Sequence, residues 1–242
     1  MIINNVFFIS APFGNHLRFK NAISVTGSWT LQSRPGRLIQ TLKTLRPIRK
    51  GWINKIGLRN PGILHGLRKH KANQVLSLAH IDSDDWVLLH DLVPRTDNVE
   101  INISCPNTMP WPTPKFTQEF PLWEGFSLWP NKHRTWCICK IPPTYSKREI
   151  DDIIALGYKQ IHTSNTLRVR EGGISGKELI PYTLKNLDHI KKEHPNVEVI
   201  AGGGVYDKEV INMYMDHGAD HISLGTVCFK PWKVKGLIES VR

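Results

Sequence analysis

No apolar run in this sequence approaches the roughly 20 residues that a membrane-spanning helix needs; runs such as Val6 to Ile9 are far shorter. Cysteine is scarce, and the four present, Cys105, Cys137, Cys139 and Cys228, are spread too thinly for a disulfide framework. No secretory apolar segment with a cleavage site stands near Met1. A soluble, cytoplasmic protein with no membrane partner is therefore expected. Cys137 and Cys139 alternate with Trp136 and Ile138 and share one face, but no second pair of ligands accompanies them. They read as packing, and no metal is expected. Internal repeats and low-complexity tracts are also absent.

Acidic residues are in the minority, 21 against 32 Lys and Arg, which leaves a formal charge of +11. Such a balance attracts anions, whether carboxylates, phosphates, nucleic acid or an acidic surface. Charge alone does not choose among them, and nucleic acid stays open as a partner without being favoured.

What is present is an alternation of short β-rich runs with helix-like segments. Eight candidate strands fall at Val6 to Ile9, Ala22 to Thr26, Val75 to Ala79, Val99 to Ile103, Trp136 to Ile141, Gln160 to Thr163, Val197 to Ala201 and His221 to Leu224. Between them, Ser146 with Glu149 three residues on forms a capping-box pattern ahead of Ile150, Ile153 and Ile154. Leu179, Thr183, Leu184, Leu187 and Ile190 make a helical stripe, and Asp207 opens a run that Gly218 closes. Strand and helix in alternation predict parallel strands and an α/β fold, and the number eight suggests a closed barrel. A (β/α)8 TIM barrel takes about 250 residues, so the 242 here are expected to form one domain, 1–242, with little room for insertions.

Two regions depart from that scheme. The stretch from Pro110 to Pro130 holds Trp111, Phe116, Phe120, Trp123, Phe126 and Trp129 among prolines, which suits either a lid over a ligand or aromatic filling where a fourth helix is missing. Leu31 to Lys71 is rich in Arg and Lys, reads as a solvated face, and has one strand-like core, Trp52 to Leu58.

The residues suited to chemistry cluster at strand ends. Cys105 follows the fourth candidate strand within Asn102-Ile103-Ser104-Cys105-Pro106-Asn107, a thiol flanked by the carboxamides of Asn102 and Asn107. Asn54 and Asn165 stand in comparable places, and four asparagines there could converge on one planar polar ligand, although each alone also suits a turn. Gly202-Gly203-Gly204 and Gly225-Thr226 end the seventh and eighth strands, where barrels commonly bind phosphate, though tight turns use the same letters. Lys140 sits in an otherwise apolar fifth strand and needs an anionic or carbonyl partner if it points inward. A register shift of one would turn it outward.

As an ordered set these motifs resemble the dihydroorotate dehydrogenases, FMN-containing (β/α)8 barrels that oxidise dihydroorotate to orotate in pyrimidine biosynthesis. The resemblance runs from about Asn54 to the C-terminus and includes Gly172-Gly173-Ile174-Ser175-Gly176-Lys177. It implies that Cys105 removes the C5 proton while a hydride passes to flavin N5. Asn54, Ile56, Gly57, Leu58, Asn102, Asn107, Asn165 and Thr166 then match substrate-binding positions. Asn102, Lys140, Ser164, Gly176, Gly203, Gly204, Gly225 and Thr226 match positions along FMN, the last four at its phosphate. A cysteine base resembles the soluble class, which favours a small-molecule substrate such as dihydroorotate or a similar cyclic amide and leaves a homodimer open.

The chain also departs from the family. Gly27, in Val25-Thr26-Gly27-Ser28, stands where a lysine contacts flavin and substrate, and Arg34 or Lys55 are the nearby cations that could replace it. The connection before Gly27 is too short for a normal first helix. The loop from Asn165 to Gly176 is trimmed, so a small sheet excursion is expected to be missing. These departures keep two alternatives in view, a degenerate barrel serving as a binding or assembly subunit and an enzyme similar to the flavin-dependent synthases that reduce uridine in RNA.

Overall fold

The computed structural model describes residues 6–82, 84–103 and 125–240. In chain order the elements are β1 (Phe7–Ile9), β2 (Ala22–Trp29), α1 (Arg37–Thr44), β3 (Arg46–Ile48), β4 (Gly51–Asn54), α2 (Ile63–Lys69), β5 (Gln74–Leu78) and α3 (Asp85–Leu92). There follow β6 (Val99–Asn102), β7 (Cys137–Ile141), α4 (Lys147–Ala155), β8 (Gln160–Thr163), β9 (Leu167–Val169) and β10 (Gly172–Gly176). The chain ends with α5 (Ile180–Glu193), β11 (Glu198–Gly202), α6 (Lys208–Asp216), β12 (His221–Leu224) and α7 (Pro231–Glu239).

Eight strands close a parallel barrel in the order β1, β2, β5, β6, β7, β8, β11 and β12, with β12 returning to β1. All eight fall on the runs expected from the sequence, because a barrel strand is covered on both faces and reads as a nearly continuous apolar stretch. The five residues of β5 are all buried, for example. The helices form as their patterns require. Ser146 Oγ accepts from the Glu149 amide at 3.3 Å and Glu149 Oε2 accepts from the Ser146 amide at 2.7 Å, which completes the capping box of α4. Asp207 Oδ1 accepts from the Val210 amide at 3.1 Å at the start of α6. Between β1 and β2 there is only a 3-10 turn, Phe13–Asn15, as the short connection predicts.

The segment 165–176 differs from expectation. Rather than losing its sheet excursion, it forms the β9–β10 hairpin, which joins β3 and β4 in a four-stranded sheet of order β3-β4-β10-β9. Close strand approach explains how so short a loop manages this: a Cβ on Gly51 would come within 1.9 Å of the Ser175 carbonyl oxygen. The strand expected over Trp52 to Leu58 is accordingly β4, ending at Asn54.

Phe126 and Trp129 are fully buried and fill space between α3 and the barrel, with Phe126 stacked on Tyr158 at 4.9 Å and the Tyr158 hydroxyl donating to the Phe126 carbonyl at 2.9 Å. For these two aromatics the filling role holds; Trp111, Phe116, Phe120 and Trp123 lie outside the described residues. Among the described residues no helix is long and apolar enough to cross a membrane.

Candidate active site

A cavity of about 310 Å³ opens at the C-terminal ends of the barrel strands. Its floor and walls are Ser10 after β1, Lys140 and His162 on β7 and β8, Ser164, Asn165 and Thr166 after β8, and the loops after β11 and β12. Its roof comes from the excursion between β2 and α2, through Arg37 and Thr41 of α1 and Trp52 and Asn54 of β4, and from Ser175 and Gly176 of β10. The four-stranded sheet is thus what closes the site from above.

Beneath the cavity lies a continuous polar chain. Parallel register sets Asn102 beside Lys140 and Lys140 beside His162, while Ser77 stands beside Glu100. Strand alternation puts Glu100 and Asn102 on the same, inward face. His162 Nδ1 is 2.7 Å from Glu100 Oε2, and Ser77 Oγ donates to Glu100 Oε1 at 2.8 Å. Because the Ser77 proton is committed to the carboxylate, Ser28 Oγ donates to Ser77 Oγ at 2.8 Å, and Asn102 Nδ2 donates to Ser28 Oγ at 2.9 Å. Asn165 Nδ2 donates to Asn102 Oδ1 at 2.9 Å. Two predicted ligand-binding carboxamides are therefore oriented by a relay that ends on one buried carboxylate.

Burial acts to raise the Glu100 carboxyl, but Lys140, His162 and Ser77 outweigh it and hold it at about 2. Lys140 Nζ is 3.9 Å from Glu100 Oε1 and only 7% exposed, so of the two directions the sequence left open the lysine takes the inward one. Burial, and after it the Lys140 charge, lowers the His162 pKa. The neutral imidazole then donates from Nδ1 to Glu100, leaving Nε2 as an acceptor.

The glycine loops make a close cradle. Gly203 and Gly204 run beneath Leu179 and Ile180, whose side chains a Cβ at either position would approach to 2.7 Å. Gly225 faces space instead, with Ser10 Oγ 3.9 Å from the place of a Cβ. The Tyr206 hydroxyl donates to Thr226 Oγ1 at 2.6 Å and fixes that side of the loop.

Gly27 is a built feature of this chain. Its φ is +112°, and a Cβ would lie 2.5 Å from the Ser77 carbonyl oxygen. Asn15, from the 3-10 turn that replaces a first helix, accepts from the Gly27 amide at 2.8 Å and donates to its carbonyl at 3.3 Å. The shortened first connection and the missing side chain are thus two parts of one arrangement.

Of the sequence-predicted site residues, Asn54, Ile56, Lys140, Ser164, Asn165, Thr166, Gly176, Gly203, Gly204, Gly225 and Thr226 line the cavity. Asn102 stands behind them in the relay, Gly57 and Leu58 lie beyond the lining, and Cys105 and Asn107 fall outside the described residues. Arg34 and Lys55, the cations expected near Gly27, do not line it; Arg37 does. Arg34 instead pairs by backbone with Asn60, and Lys55 is exposed. Sequence reasoning also missed Glu100 and His162. A lone glutamate inside Val99-Glu100-Ile101 was the available signal, since a carboxylate between buried neighbours needs partners.

Over residues 15–240 the sequence matches the family described as dihydroorotate dehydrogenase. The chain is similar to the protein named dihydroorotate dehydrogenase B (NAD(+)), catalytic subunit, of Thermotoga petrophila, with 26% identity over 208 residues covering 78% of this chain and 76% of that protein. The protein of the same name from Staphylococcus carnosus is 26% identical over 219 residues, covering 79% and 71%. Among solved structures, the DHODH of Eimeria tenella in complex with ferulenol shares the fold, with a TM-score of 0.63 at 17% identity over 97% of this chain and 79% of that one. With the closed parallel barrel and the strand-end motifs in the same molecule, this chain belongs to the dihydroorotate dehydrogenase family.

Proposed function

We propose that this chain, read as one domain over 1–242, is an FMN-dependent oxidoreductase that oxidises dihydroorotate or a similar cyclic amide in the cytoplasm. The observation that carries the reading is the convergence of Asn54, Asn165, Lys140 and the Gly203, Gly204, Gly225 and Thr226 cradle on one cavity. The residues present fit a flavin nucleotide. Gly225 leaves open a space that a side chain would fill, and Lys140 brings a cation to a wall that, among the described residues, has no Asp or Glu in its lining.

Converting a carbon–carbon single bond to a double bond removes one proton and one hydride; FMN, when bound, supplies the hydride acceptor. Cys105 is assigned as the proton acceptor on the family resemblance. Asn54 and Asn165 hold the ring through its carbonyl and N–H groups, with Asn102 orienting Asn165 from behind. Glu100 holds Lys140 in place and offsets the cost of burying it. The glycine cradle supplies close backbone N–H groups to a phosphate.

Purified protein reconstituted with FMN should be yellow and should bleach anaerobically with dihydroorotate. Cys105→Ala should keep the colour and slow the bleaching strongly. Protein that stays colourless after reconstitution would sink the reading. A second reading, a barrel that binds the flavin and ligand without turnover, is favoured by the steric closure at Gly27; it expects colour and orotate binding with no bleaching.

A further inference from the structure

Among the described residues two basic side chains of the Lys and Arg type line the cavity, Lys140 and Arg37, and their surroundings differ. Lys140 has Glu100 at 3.9 Å. Among the described residues Arg37 has no such counterpart: no Asp or Glu of theirs lines the cavity, and its guanidinium makes no hydrogen bond or ion pair with them. Burial alone lowers its pKa, so the group is drawn partly out of water without compensation. Helix stability does not account for its position either. Arg37 is the first residue of α1, the end where the helix dipole disfavours a cation, and no acidic residue stands in that first turn.

Its place in the chain indicates which part of a ligand it meets. Arg37 belongs to the excursion that also carries Asn54 and Ile56, whereas the glycine cradle comes from loops after β11 and β12. A cation on the Asn54 side, in a chain whose position 27 cannot bear a side chain, answers the need that the absent lysine leaves. A guanidinium pairs with a carboxylate through two parallel hydrogen bonds, which gives direction as well as charge.

We propose that Arg37 is the residue by which this site recognises a carboxylate, so that it selects an anionic cyclic amide over a neutral one. The inference rests on the cyclic-amide reading above and deepens it.

The test is equilibrium binding by titration calorimetry of orotate, which carries the carboxylate, and of uracil, which lacks it, to wild type, Arg37→Ala and Arg37→Lys, each with and without FMN. Arg37→Ala should weaken orotate about tenfold or more, equivalent to ~1.4 kcal/mol, while uracil binding and FMN content stay as in wild type. Arg37→Lys should recover part of the orotate affinity, which also excludes misfolding as the cause. Equal losses for orotate and uracil, or no loss for either, would overturn the proposal. So would loss of FMN with orotate binding intact, which would place Arg37 at the flavin phosphate. A wild type that takes up no FMN fails the oxidoreductase reading, yet the FMN-free titrations still decide the role of Arg37.

Discussion

Glu100 Oε2 and His162 Nδ1 lie 2.7 Å apart inside the barrel, both almost wholly buried, and the pair is ionised on one side only. Glu100 is held at about 2, and His162 is lowered chiefly by its burial. His70, His80 and His221 are lowered by burial as well. A histidine whose folded pKa lies below its unfolded 6.5 contributes stability that is complete above 6.5 and lost as pH falls toward the lowered value. Glu100 contributes above its unfolded 4.5, and that part is lost as pH falls toward 2. The urea midpoint should therefore be flat above neutrality, decline below pH 6.5 and decline again below 4.5. Glu100→Gln should shrink the second decline, to which Asp151, also lowered, still contributes, and lower the plateau by about 3–5 kcal/mol, because it removes the carboxylate that faces the buried Lys140 ammonium. A midpoint unchanged between pH 7.5 and 4 would contradict this account.

Restoring the family's lysine at position 27 should not restore its function. The φ of +112° strains any L side chain, and the first atom of that side chain would meet the Ser77 carbonyl oxygen at 2.5 Å. Gly27→Lys and Gly27→Ala should both destabilise by more than about 2 kcal/mol. Thermal unfolding checks it, and a Gly27→Lys variant as stable as wild type would show that the backbone here can readily move aside.

How far the sequence could be read follows from how local each signal is. The barrel strands were legible because burial on both faces writes itself into consecutive residues, as in β5 and β11. Lys140 was legible as a cation in an apolar strand that needs a partner if it points inward, while its direction waited on the strand register. The β9–β10 hairpin was not: Gly172-Gly173-Ile174-Ser175-Gly176 has little strand propensity, and it pairs with Gly51–Asn54 more than a hundred residues away. Paired glycines, Gly51 against Gly176, were the trace of that close approach. Arg37 was hidden for a different reason. In a stretch with many basic residues, sequence does not say which one turns inward, since that depends on α1 lying over the cavity.

The cradle can be tested at its most open position. Gly225 has a φ of −106°, and a Cβ there would meet nothing closer than Ser10 Oγ at 3.9 Å. Gly225→Val should weaken FMN about tenfold or more, ~1.4 kcal/mol, with a smaller loss of stability than the two neighbouring glycine positions show. Gly203→Ala and Gly204→Ala should lose more stability, because their Cβ atoms would press on Leu179 and Ile180 at 2.7 Å. FMN fluorescence on titration separates the two classes. Full flavin affinity in Gly225→Val would remove this loop from the phosphate site.

The relay separates positioning from support. Asn102 is 7% exposed, accepts from Asn165 and donates to Ser28, so Asn102→Ala removes the contact that holds the Asn165 amide from behind. Ser28→Ala breaks the chain one step further back but keeps the Asn102–Asn165 bond. Both should cost about 1–3 kcal/mol of stability, the usual price of an unsatisfied buried polar group. Only Asn102→Ala should also weaken orotate, by about tenfold, because only there does Asn165 lose the bond that aims it into the cavity. If Ser28→Ala weakens orotate as much, the whole relay sets the geometry of the site, and the carboxamide pair is not its own positioning unit.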